Sequence, residues 1–146
     1  MYINGGNIMK GACLCGKTQF NVEILNKDVH ACHCSMCRRQ VSGILMAVDI
    51  SPSKLKFTHS EFLEIYNSSE WGERGFCKAC GTSLFWRLKN NEYANVNVFA
   101  LDCSIEEFNL HTEIYIENKP QFYEFKNITQ KLTEEDIIAL MNQNNS

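Results

Sequence analysis

Apolar residues return at every second position, or nearly so, in five short stretches: TQFNVEI (18–24), FLEIYN (62–67), SLFWRL (83–88), YANVNVF (93–99) and TEIYIE (112–117). Such alternation predicts strands with one buried face. A more continuous apolar run, ILMAVDI (44–50), fits a central strand. Turn signals at Pro52, Asn90-Asn91 and Pro120 are spaced for a mostly antiparallel, mainly β fold. One helix is predicted, at about 134–142. Thr133 can cap it, Glu134, Glu135 and Asp136 put acids where the helix dipole favours them, and Ile137, Ile138 and Met141 form an apolar face for packing on the sheet. No linker, repeat or low-complexity segment divides the chain, so a single domain over 1–146 is expected, with its core at about 11–125.

Composition narrows the class. A chain of 146 residues can bury a real core, and 45% apolar with 21% charged residues lies near the globular average. The formal charge of -3 and the lack of any basic run longer than Arg38-Arg39 argue against nucleic-acid binding. The N-terminal stretch lacks the pattern of a secretory signal, and no segment reaches the ~18 apolar residues of a membrane span. A cytoplasmic location is therefore expected. In that reducing compartment the eight cysteines read as metal ligands or catalytic groups rather than as a disulfide framework.

Seven of the eight fall into three clusters: Cys13-Leu14-Cys15, Cys32-His33-Cys34-Ser35-Met36-Cys37 and Cys77-Lys78-Ala79-Cys80. A two-residue gap lets consecutive thiolates converge on one zinc ion. Gly16 and Gly81 each follow the last cysteine of a pair, where a left-handed turn lets the loop fold back around a metal. Cys13, Cys15, Cys77 and Cys80 thus form a natural four-sulfur set. Four thiolates leave no vacant position, so such a site acts as a structural staple.

The remaining cluster offers only Cys32, Cys34 and Cys37. Zinc held by these three would keep a fourth position open, as catalytic sites do. Three thiolates make the bound metal net negative, which suits a soft thiol ligand better than the ionisation of water. His30, His33, His111 or Cys103 could instead close the site; His33, wedged between two ligands, fits least and His111 better. A metal-free, reversibly oxidised cluster is the other alternative.

The blocks GACLCGKTQF, CHCSMCRR, FCKACGTSLFW and IYIENKPQFYEF, in this order from Gly11 to about Phe125, resemble the signature blocks of the glutathione-dependent formaldehyde-activating family, which includes centromere-protein-V-like members. The resemblance implies an Mss4-like fold of small coiled antiparallel β-sheets stapled by zinc. It implies two zinc ions per chain: a structural one on Cys13, Cys15, Cys77 and Cys80, and a second, which can be partly empty or oxidised, on the catalytic Cys32, Cys34 and Cys37. The activity implied is that of a carbon-sulfur lyase read in reverse, condensing glutathione or a related small thiol with formaldehyde. Relatives often carry His where this chain has Glu113, with His111 two residues earlier, which points to a different substrate pocket.

Glutathione carries two carboxylates and arginine forks match carboxylates, so Arg38 and Arg39 are candidate substrate anchors, with His111 and Glu113 as further substrate contacts. Trp71, Phe85 and Trp86 read as core or pocket wall, and Cys103 as a buried small hydrophobe. Thiols add to formaldehyde without a catalyst, so the same constellation also fits a non-enzymatic, zinc-stapled module with a structural or protein-interaction role. The oligomeric state is left open.

Overall fold

The computed structural model describes residues 7–144. In chain order the elements are β1 (Ile8–Ala12), β2 (Gln19–Glu23), β3 (Asp28–Cys32), α1 (Ser35–Val41), β4 (Leu45–Ile50), β5 (Lys56–His59), β6 (Leu63–Asn67), β7 (Gly72–Cys77), β8 (Ser83–Leu88), β9 (Ala94–Asn97), β10 (Asn109–Ile114), β11 (Gln130–Leu132) and α2 (Glu134–Asn144), with short 3-10 turns between some of them. The protein is mainly β, with a short C-terminal helix. The chain forms two compact units, Met1–Lys27 with Ala47–Glu107, and Asp28–Met46 with Phe108–Ser146.

In the first unit every strand pairing is antiparallel, with the orders β1-β2-β5 and β4-β9-β8-β7-β6. Alternation decides which side chains go inside: Phe20, Val22 and Ile24 on one stretch, and Ala47, Val48 and Ile50 on another, are nearly free of solvent contact. Phe57 stacks against both Phe20 and Phe85, with ring centroids 5.4 and 5.8 Å apart. Gly75 is required by this packing, because a Cβ there would stand 2.1 Å from the Phe85 ring. Of the three aromatics expected inside, Phe85 is buried, whereas Trp71 is 60% exposed.

The second unit departs from the antiparallel expectation. Its strands β11, β10 and β3 pair in parallel, with a register shift between Leu110 and Thr112. It also holds a helix that periodicity did not reveal. The seven residues of α1 carry no apolar stripe, and their N-cap is Cys34, whose sulfur accepts the Cys37 N–H at 3.3 Å. Ser42 ends α1 in the left-handed conformation (φ 55°), and its N–H and that of Gly43 both go to the Arg38 carbonyl.

The capping expected at Thr133 is present. The Thr133 hydroxyl accepts the Asp136 N–H at 3.1 Å while the Asp136 carboxylate accepts the Thr133 N–H at 2.9 Å, a reciprocal capping box. The Glu117 carboxylate accepts the N–H of Glu134. Ile138, Leu140 and Met141 nevertheless remain about half exposed, so the apolar face of α2 is not covered as expected. No helix of the described residues is long and apolar enough to cross a membrane.

Two candidate metal centres

The ligand atoms of Cys13, Cys15, Cys77 and Cys80 lie within 4.8 Å of one another. Two matched loops bring them together. In one, the Cys13 N–H donates to the Thr18 carbonyl and the Gly16 N–H to the Cys13 carbonyl; in the other, Cys77 and Gly81 make the same bonds with Thr82 and Cys77. Gly16 (φ 79°) and Gly81 (φ 84°) adopt the left-handed turns that their position after each pair foretold. The Thr18 N–H also donates to the Cys13 sulfur at 3.3 Å.

The donor set fits a tetrahedral soft cation. Sulfurs at about 2.3 Å from such an ion would stand ~3.8 Å apart. The Cys13–Cys15 and Cys15–Cys77 sulfur separations are 3.6 and 3.9 Å. Without a cation, protons divide unevenly among the four. The Thr82 hydroxyl and surrounding backbone N–H groups outweigh burial to hold the Cys80 thiol down at about 5. The Lys17 N–H favours the Cys15 thiolate, but burial and the neighbouring thiols overcome it and push Cys15 up to about 11.

Cys32, Cys34 and Cys37 form the second group, again with sulfurs within 4.8 Å of one another. They come from the end of β3, the N-cap of α1 and the first turn of α1. Cys32, Cys37 and Leu45 make a small buried cluster, against which Cys34, Val41, Ile114 and Tyr115 pack. Hydrogen bonds with Cys34 and Cys37, then burial and their negative charge, push the Cys32 thiol far above its ordinary range. Three thiolates so placed need a cation to coexist, which is the chemistry of a metal-binding set. Among the described residues no histidine, carboxylate or further cysteine joins this group.

None of the candidate fourth ligands, His30, His33, His111 and Cys103, joins the three cysteines. His111 sits at the register shift of β10, exposed, with Nδ1 2.7 Å from the Thr112 hydroxyl. Cys103 belongs to the first unit and is half-buried rather than buried. His33 is fully buried and its Nε2 lies 2.8 Å from Glu113 Oε1. Glu113 is itself buried, and its other oxygen accepts from the Thr129 hydroxyl, with Lys131 Nζ 3.7 Å away. Burial opposes its charge, but Thr129, His33 and Lys131 together hold its carboxyl below the ordinary range. Glu113, taken from the sequence as a substrate contact, thus faces His33.

Arg38 is half-buried and its Nε donates to the His33 carbonyl at 3.1 Å, whereas Arg39 is exposed. Sequence patterning missed two tyrosines. Tyr123 places its hydroxyl 3.3 Å from His33 Nδ1, and burial, ahead of the opposing pull of Arg38, raises its phenol above the ordinary range. Tyr115 adopts the left-handed conformation (φ 55°), unusual for an aromatic residue, directly after β10. Its phenol is raised first by burial and then by the charges of Cys32 and Cys34. Both tyrosines lie in the IYIENKPQFYEF block, but nothing in their spacing marked them as neighbours of the cysteine loop.

Comparison with known proteins agrees with this geometry. Residues 8–118 match the family model described as glutathione-dependent formaldehyde-activating enzyme. The chain belongs to that family. It is 31% identical over 132 residues to an uncharacterized lyase of Schizosaccharomyces pombe, covering 88% of this chain and 93% of that one. A Halomonas elongata protein bearing the glutathione-dependent formaldehyde-activating enzyme name is 27% identical over 133 residues, covering 84% of each chain. The crystal structure of a Rhodobacter sphaeroides protein superposes with a TM-score of 0.58 at 32% identity, covering 66% of this chain and 90% of that one.

Proposed function

We propose that the protein is a zinc-dependent carbon-sulfur lyase, joining glutathione or a related thiol to formaldehyde or a similar small electrophile at the Cys32–Cys34–Cys37 site. The observation that carries this reading is the incomplete donor set: three converging sulfurs with no fourth protein ligand among the described residues. Cys13, Cys15, Cys77 and Cys80 hold the structural zinc. A zinc ion on Cys32, Cys34 and Cys37 would supply a fourth position that draws the substrate thiol in as its thiolate.

The substrate sulfur then attacks the carbonyl carbon. A C–S bond forms, the C=O π electrons move to oxygen, and that oxygen takes up one proton to replace the one the thiol lost. No oxidant or reductant is needed. Arg38 anchors a substrate carboxylate: its Nε is committed to the His33 carbonyl, which sets the guanidinium in place with its outer N–H groups available. Arg39, exposed on the next position, contributes long-range attraction for an acidic thiol. Tyr115, packed on the same cysteines, presents a hydroxyl suited to the developing alkoxide. Orientation and thiolate supply are the protein's share of the work.

Zinc content, thiol binding and adduct formation in the wild type and Cys34→Ser test the reading. The wild type is expected to hold two zinc ions, bind glutathione and form the S-hydroxymethyl adduct faster than the uncatalysed mixture. Cys34→Ser should keep one zinc and lose both glutathione binding and the acceleration. A wild type with one zinc and no thiol binding leaves a stapled, non-enzymatic module.

A further inference from the structure

His33 lies between two of the three cysteines, and each of its hydrogen-bonding groups is engaged. Its N–H donates to the Ile114 carbonyl at 3.0 Å, its carbonyl accepts from Arg38 Nε, and its ring nitrogens meet Glu113 and Tyr123. The ring is also flanked by aromatics, with its centroid 5.9 Å from that of Phe125 and 6.2 Å from that of Tyr123. Neither the imidazole nor the Glu113 carboxylate has appreciable contact with solvent. A buried carboxylate is costly to retain unless its geometry serves a purpose.

That purpose follows from the path of the chain. Along extended backbone, side chains at i and i+2 share a face while the residue between them points the other way. β3 ends at Cys32 and Cys34 is still extended (φ -61°, ψ 152°); the two sulfurs converge while the His33 ring goes to Glu113, which makes it the handle by which their orientation can be held. Glu113 grips that handle, and its own position is set by the Thr129 hydroxyl and by the parallel register that places it beside Ala31.

We propose that Glu113 is a positioning residue that, through His33, holds Cys32 and Cys34 at the separation and angle at which they converge with Cys37 on one metal ion. Glu113 touches neither metal nor substrate. It replaces the fourth protein ligand as the source of rigidity, so the coordination position can stay open without the loop collapsing. This inference rests on the reading that the three cysteines hold a metal.

Cobalt(II) uptake by the metal-depleted chain tests it, using the sulfur-to-cobalt charge-transfer and d–d bands, with thermal unfolding followed in parallel. In the wild type two cobalt ions are expected, with distinct spectra. In Glu113→Gln, which keeps the volume and one acceptor toward His33, the four-sulfur site should fill as before. The three-sulfur site should bind about 10-fold more weakly, the low end of the cost of mutating an outer-shell partner, because a neutral amide holds the His33 ring less firmly than a carboxylate, and its d–d bands should shift. Glu113→Asp, whose shorter arm withdraws the carboxylate, should not restore them. Unchanged cobalt affinity and spectrum at the second site in Glu113→Gln, even with a lowered melting temperature, overturn the inference and leave the open-site reading standing. Uptake of a single cobalt by the wild type overturns both.

Discussion

The two cysteine groups use the same ligand in opposite ways. In the first, four sulfurs converge from two loops, with Cys15 and Cys77 62 residues apart. In the second they come from six consecutive positions, 32 to 37, and stop at three. A metal that joins distant segments removes much of the freedom of the unfolded chain, whereas one bound within a single turn closes a short loop and removes little. Closure and distance thus belong together, as do openness and locality. On the proposed reading, the four-sulfur set holds the fold, and the three-sulfur set can leave a position vacant because the fold does not depend on it.

The largest expected effect tests that division. Structural zinc in small domains is worth about 10–16 kcal/mol, comparable to or larger than the ~5–15 kcal/mol by which a domain is stable. Cys77→Ser should therefore abolish the cooperative thermal transition seen by circular dichroism. Cys34→Ser should melt within a few degrees of the wild type. Similar melting of both variants would end the distinction between staple and open site.

Within the first unit, the frame that presents the staple can be strained without touching a cysteine. Gly75→Ala places a methyl group against the buried Phe85 ring, whose neighbours leave it nowhere to go. Overpacking of this kind costs about 1–3 kcal/mol. Urea unfolding should show that loss, with metal content unchanged. A neutral result would mean that the Phe20–Phe57–Phe85 stack is loose.

How much of this contrast could be read from residues alone depended on how far apart the partners lie. Closely spaced cysteines carry their geometry locally, helped in the four-sulfur set by the glycine after each pair and in the other by three cysteines within six positions, so both ligand groups were legible. So were strands whose polar and apolar residues alternate, such as β2 and β8. Strands β3 (DVHAC) and β7 (GERGFC) were not, because β7 buries Arg74 and two glycines where alternation calls for apolar side chains, and β3 is short and buries Ala31 and Cys32 consecutively, with buried His33 next. Helix α1 was hidden because a cysteine does the work of the usual capping serine or aspartate. His33 and Glu113 are 80 residues apart, and only the parallel register of β3 with β10 brings them together.

In the second unit the buried carboxylate makes stability depend on acid. Folding lowers the Glu113 carboxyl from its ordinary value near 4.5, through Thr129, His33 and Lys131 acting against burial. A depressed carboxyl binds fewer protons folded than unfolded. Its contribution is thus fully present above pH 4.5 and fades as pH falls through the lower, folded value. Denaturation as pH falls below about 4.5 should be steeper in the wild type than in Glu113→Gln. Parallel acid limbs in the two proteins would show that folding does not lower the Glu113 carboxyl.

The smallest effect separates the second site from the helix beside it. Helix α2 is tethered at its N-terminus by the Thr133–Asp136 capping box and by the Glu117 carboxylate, while most of its surface stays exposed. Thr133→Ala removes the hydroxyl that accepts the Asp136 N–H and should cost about 1 kcal/mol, seen as a small loss of helical ellipticity at 222 nm. The cysteine loop is held instead by His33, with Glu113, Arg38 and the Ile114 carbonyl around it, none of which lies on α2. Metal uptake at the three-sulfur site should therefore match the wild type. If fraying α2 also weakened that uptake, the turn through Tyr115 to Glu117 would have to transmit the change, and the open site would depend on more of the second unit than its own loop and the strand behind it.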